Sequence, residues 1–167
     1  MTTRDHLIYI LQEVYSFHRD VLPVLDSLRH MSADARVRSV LQTTVDGIRG
    51  ELETTERALN LISARYKMEH SALGVGIKEA SDRFRHQISP SRAELDVHAL
   101  QVAVTAAAIA RSKYLGATEM ARAIGEQDLV KLLEEMDQRE VIGMADNAEL
   151  APQLIQEINA GEERRAA

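Results

Sequence analysis

The sequence predicts an all-α protein built on a bundle of four long helices. Three observations carry that expectation. Apolar residues recur at spacings of three and four over four long segments, which marks the buried stripe of an amphipathic helix. Ala, Leu, Glu, Arg and Gln are plentiful, and these are good helix formers. No stretch alternates β-branched and polar residues as a half-buried strand would. With 167 residues, 45% apolar and 28% charged, the chain has the size and balance of one folded domain with its own core.

The first helix is predicted over about 3–30. Leu7, Ile10, Leu11, Val14, His18, Val21, Leu22, Leu25 and Leu28 form its stripe. Thr2 or Thr3 can cap it, and Pro23 should kink it or remove a hydrogen bond. Met31-Ser32 marks the turn, with Ser32 the expected N-cap of a second helix over about 33–67. Val37, Val40, Leu41, Val45, Ile48, Leu52, Leu59 and Ile62 make the second stripe. Gly47 and Gly50 lie inside it. Each costs up to about 1 kcal/mol relative to Ala, so close packing or function is expected to offset them.

From 68 to 92 the pattern weakens. Gly74 and Gly76 precede a short amphipathic piece over about 77–86, and Ser89-Pro90-Ser91 follows. Antiparallel neighbours need only a few connecting residues, so this connection is long enough to cross the bundle. The third long helix opens at Ser91-Arg92-Ala93-Glu94, a capping-box pattern, and should end at Gly125, a suitable C′ residue. Its centre, residues 99–110, is almost entirely small and apolar. The fourth is predicted over 127–147, with Leu129, Leu132, Leu133, Met136, Glu140 and Met144 inward. A short helix over 152–159 begins at Pro152. A domain over 1–160 and a frayed polar tail over 161–167 complete the expected layout.

Composition narrows function. A net charge of −6 and a pI near 5.5 argue against nucleic acid, which needs a basic face. The chain has no cysteine, which excludes disulfides, thiolate catalysis and Cys-ligated zinc. The N-terminus lacks the apolar run of a leader, and no 18-residue apolar span is expected, so neither membrane insertion nor export is predicted and the location is read as cytoplasmic. No phosphate loop, nucleophile elbow or zincin motif is present.

Laid along these helices, the chain resembles the YciE/YciF family of ferritin-like proteins over roughly residues 7–144. Tyr15-Ser16-Phe17-His18 and the following VLPVLDSL are similar to that family's Tyr-Ser-x-Glu stretch and its apolar series. DVHALQVA, from Asp96 to Ala103, is similar to a run on its third helix, and residues 114–125 and 129–133 to that helix's end and the start of the fourth. The resemblance implies a ferritin-like bundle, with a long crossover between helices 2 and 3 and a short extra helix. It also implies a bacterial stress setting and a carboxylate-bridged di-metal site fed by all four helices, since iron takes oxygen and imidazole donors.

The chain departs from that site residue by residue. His18 stands for the first-helix Glu. Gly47 takes the second-helix Glu position, with Glu51 one turn on. The third-helix ligand positions fall on Ala107 and Ala110 in the run 106–110. Glu140 matches a carboxylate of the fourth, and Met144 replaces the next Asp. His18, Glu51 and Glu140 are therefore the candidate metal ligands, and a paired polar cluster without a metal is the favoured alternative. No cofactor is expected, with iron or another divalent metal as the variant. The expected function is a non-catalytic structural or interaction module with a degenerate site, and a homodimer is expected.

Two alternatives stay open. One is a di-iron ferroxidase or oxidase in a shifted register that brings Asp20, Asp46, Glu53 or Glu119 inward. The other is a small-molecule-binding bundle with a void left at Ala107 and Ala110, unless Met144 and Phe17 fill it. His98 is expected to be partly exposed. His6, His30, His70 and His86 are expected on the surface. Tyr15, Tyr114, Met120, Met136 and Met144 are read as core. The Glu134-Glu135 and Glu162-Glu163 pairs are read as solvated.

Overall fold

Thr2 starts the first helix as the sequence predicts. Its hydroxyl accepts from the Asp5 backbone N–H, and the Asp5 carboxylate accepts from the Thr2 N–H, a reciprocal capping box. The computed structural model describes residues 1–67, 69–87 and 90–166, with backbone alone for 87 and 161–166. α1 spans Thr3–Met31. Pro23 lies within it on the solvent face and the helix continues on both sides. The burial of Val21, Val24, Leu25 and Leu28 around it offsets the lost donor.

Ser32 does not start α2. Its N–H and hydroxyl both donate to the Leu28 carbonyl and close α1. Asp34 is the N-cap, accepting from the Arg36 and Val37 N–H groups, so α2 spans Ala35–Leu61. Asp96 fixes this turn from another helix, accepting at 3.0 Å from both Ala33 N–H and Asp34 N–H. α2 ends six residues before the expected end. Ser63 adopts φ 53°, and α1 holds the departing chain, through Arg4 on the Ile62 carbonyl and Gln12 on the Arg65 carbonyl.

α3, Ala72–Gln87, begins earlier than predicted and includes Gly74 and Gly76. A Cβ on Gly74 would stand 2.8 Å from the Asp20 Cβ of α1, so glycine here permits close helix approach. Ser89 lies outside the described residues. α4 spans Arg92–Ala123 and carries the Ser91/Glu94 capping box. Gly125 follows it at φ 83°, the left-handed conformation that suits glycine at a helix end.

α5 corrects the sequence reading most. One helix runs over Gln127–Ala166 with Pro152 inside, in place of a helix to 147 and a separate piece over 152–159. Leu150 and Leu154 extend its buried stripe while Pro152 faces outward. The polar tail expected from 161 thus begins with helical backbone.

The pairings Asp96–Asp34, Tyr114–His18, Glu140–His18 and Asn147–Thr44 set the directions. α1 and α5 run one way and α2 and α4 the other, with α3 in the crossover. The sequence was expected to hold no 18-residue apolar span, but α4 does contain one by length and composition. In the bundle this helix is central, packed against α1 and α5.

Candidate functional site

Three polar residues sit on apolar stripes. His18 follows Val14 on α1, Glu51 follows Ile48 on α2, and Glu140 follows Met136 on α5. Because stripes face the core, the fold brings all three to the middle of the bundle, and all are buried. His18 Nε2 lies 3.2 Å from Glu51 Oε2 and 3.6 Å from Glu140 Oε1. One donor atom from each lies within 4.8 Å of the others. α4 contributes Tyr114, fully buried, whose hydroxyl is 3.5 Å from both His18 Nδ1 and Glu51 Oε2.

Burial decides the charge state. It pushes Glu51 up to about 8, with neighbouring Glu140 adding to the rise and His18 opposing it. It pushes Glu140 up to about 7. It lowers His18 and raises Tyr114 well above the ordinary range. The carboxyls of Glu51 and Glu140 share a hydrogen bond. At neutral pH, therefore, imidazole is neutral and the carboxyl pair keeps a proton, because desolvation disfavours each charged form. In a consistent network, His18 Nε2–H donates to the carboxyls and Tyr114 O–H donates to Nδ1. To hold a cation, His18 would turn its Nε2 lone pair inward and donate Nδ1–H to the Tyr114 hydroxyl.

Beside the cluster a cleft of about 300 Å³ opens between α2 and α5, over a floor from α4. His18, Glu51 and Glu140 line its inner end. Gly47, Ala103, Ala106, Ala107 and Gly143 also line it, so small residues leave the space open. Of the two alanines where the sequence left open a void or a filled space, Ala107 lines this cleft. Ala110 does not line it and is fully buried elsewhere in the core. Close packing does not account for Gly47 or Gly50, since a Cβ on either meets nothing within 4 Å.

The register-shift residues stay away from the centre. Asp20 accepts from Ser71 N–H and pairs with His70. Asp46 bonds Gln42 and Arg49. Glu53 is exposed, and Glu119 is exposed and pairs with Arg122. His98 is half-buried and stacks on Phe84 at 4.0 Å. His30, His70 and His86 are exposed and His6 half-buried. Tyr15 reaches Glu56 at 2.6 Å and Tyr66 at 4.4 Å, at the bundle's edge. Met136 is buried, and Met120 and Met144 are half-buried. Glu134 and Glu135 are exposed, and the Glu162–Glu163 side chains lie outside the described residues.

Sequence reasoning missed Asn147. It is buried, lines the cleft, donates to the Gly143 carbonyl and Thr44 hydroxyl, and keeps Oδ1 unpartnered. The signal was present, because Asn147 falls seven residues after Glu140, on the same helical face.

The donor set tests the metal that the fold implies. Two bridged metals need about six protein ligands from all four helices. Among the described residues the centre offers one imidazole and two carboxylates, with none from α4. A di-metal centre does not fit these residues, while a single divalent cation fits the three donors.

Comparisons with known proteins agree on the fold. A family model described as "Domain of unknown function (DUF892)" matches residues 2–160. No curated protein matches the chain. The crystal structure of the Escherichia coli stress protein YciF superposes with TM-score 0.85 at 18% identity, over 93% of this chain and 98% of that one. YcfI from Rhodopseudomonas palustris superposes at 0.82 and 14%, over 89% and 94%. A protein from Xanthomonas campestris pv. campestris superposes at 0.70 and 15%, over 99% and 100%. The expected all-α, ferritin-like bundle of the YciE/YciF kind is the observed fold.

Proposed function

The chain belongs to the DUF892 family, and on that premise we propose that it is a stress-associated, non-catalytic bundle whose di-metal centre has degenerated. One observation supports this above all. At the heart of α4, where a di-metal site needs carboxylate and imidazole donors, the chain has Ala106, Ala107 and Ala110. The likeness to a protein described as a stress protein supports the setting. The role left is structural or binding, with His18, Glu51 and Glu140 as a buried polar cluster.

A second reading places one divalent cation on those three residues, and their convergence within 4.8 Å favours it. Both readings deny a bridged pair of irons. The test is to load purified protein with ferrous iron in air, then measure bound metal and near-ultraviolet oxo-iron absorbance. At most one metal per chain and no bridging absorbance are expected. Two irons per chain with that absorbance would overturn the proposal.

A further inference from the structure

We propose that α3 is a strap that opens as a unit while the four long helices stay packed, and that Ser71 and two carboxylates of α1 form its latch.

The residues of α3 set it apart from the other helices. The long helices turn Leu, Val and Ala into the core. The buried positions at the start and middle of α3 are Ser71, Gly74 and Ser81. Their spacing of three and seven residues places them on one helical face. Leu73 and Val75 face outward. Ile77 alone among the described α3 side chains packs against the hydrophobic core, and it is only partly buried. Among the described residues, α3 packs against α1 and α4 only.

Polar contacts hold it instead. The Ser71 hydroxyl donates to Glu13 Oε1 at 2.9 Å and accepts from the Gly74 N–H at 3.3 Å, which caps the helix. Asp20 accepts from the Ser71 N–H at 2.8 Å and pairs with His70. Glu13 pairs in turn with Lys113 of α4. Farther along, Ser81 meets His98 at 3.4 Å, Phe84 stacks on His98, and Arg85 reaches Ser27 and Met31.

This division decides which part opens first. Water replaces a broken polar contact, so each such bond adds little net free energy, and Glu13 and Asp20 are rehydrated when α3 lifts. Separating the long helices exposes Leu7, Leu11, Phe17 and their partners, and water offers apolar surface no such replacement. Lifting α3 therefore costs less than opening the bundle. It bares the charges of Glu13 and Asp20 on α1. It leaves the His18, Glu51 and Glu140 cluster intact, because α3 contributes nothing to it.

The chain has no cysteine, so the labelling rate of a single introduced thiol reports opening. Ser81→Cys places one on the inward face of α3, and Val45→Cys places one in the core on α2, away from α3. The first should label about a hundredfold faster, with a shallower urea dependence because its opening exposes less surface. Adding Ser71→Ala should speed it about tenfold, through loss of the cap and of the bond to Glu13. Hydrogen exchange on the unaltered chain gives a second measure. Amides of residues 75–86 should open together, with a shallower urea slope than those of α1 and α4. The proposal is overturned if both thiols label at one rate with one urea dependence. It is equally overturned if Ser71→Ala leaves the Ser81→Cys rate unchanged, or if α3 amides exchange only together with those of α1 and α4.

Discussion

The α1–α4 side of the bundle and its α2–α5 side use small residues to opposite ends. On the first, Ala99, Ala110, Ala117 and Ala121 of α4 share one core with Leu7, Leu11, Phe17, Leu25 and Leu28 of α1. On the second, Gly47 of α2 and Gly143 of α5 line a cleft together with Ala103, Ala106 and Ala107. A small side chain permits close approach but does not compel it. Whether it yields contact or space depends on what the opposite helix brings. Glycines show the same divide: Gly74 lies against α1, and Gly47 against nothing.

Truncation on the packed side should cost most. Phe17→Ala is expected to lose about 3–5 kcal/mol of unfolding free energy in urea. Ala107→Val, which grows into the cleft, should change stability by less than about 1 kcal/mol. Equal losses would break the distinction between the two sides.

Next comes pH. Glu51 and Glu140 titrate near 4.5 when unfolded and at about 8 and about 7 when folded. The native state thus binds more protons between those limits, and stability falls as pH rises. The metal-free protein should lose roughly a few kcal/mol from about pH 5 to 8, with little further change above. Glu51→Gln should flatten most of that slope, and an unchanged slope in chemical denaturation would show that the pair is not its source.

The glycine pair sharpens the contrast at smaller cost. Gly74→Ala should destabilise by about 1–3 kcal/mol, because the added Cβ meets the Asp20 Cβ rather than a flexible side-chain end. Gly47→Ala should stabilise by up to about 1 kcal/mol through helix propensity alone. Melting temperatures that rank the two variants the other way would refute the assignment of space and contact.

Much of the fold was legible because its signals are local. The stripes of α1 and α2, the small apolar centre of α4, the Ser91/Glu94 box and the Gly125 stop all appear in the structure. Misses arose where a local signal met a tertiary one. Ser32 and Asp34 are both plausible N-caps, and Asp96, sixty-two residues from Asp34, helps hold the turn that uses Asp34. Pro152 marks a helix start by propensity, yet Leu150 and Leu154 keep α5 continuous by burial. In the site, His18 and Glu140 stood on predicted inward faces, and the family resemblance singled them out together with Glu51, one turn after Gly47. Asn147 was not singled out, since a lone Asn near an expected helix end reads as a cap.

By itself the sequence determined that long apolar segments would pack as helices, and that His18 and Glu140 on two of them would face inward. Periodicity carries that information, because every stripe must find cover from water. It also placed alanines at 107 and 110 of the third long helix, while leaving open a register that would turn Glu119 inward. Tertiary structure alone decided the distances among His18, Glu51, Glu140 and Tyr114, the protons that their burial retains, and the open space beside them. Those properties depend on how far apart helices stand once larger neighbours have packed, and no single stripe encodes that separation.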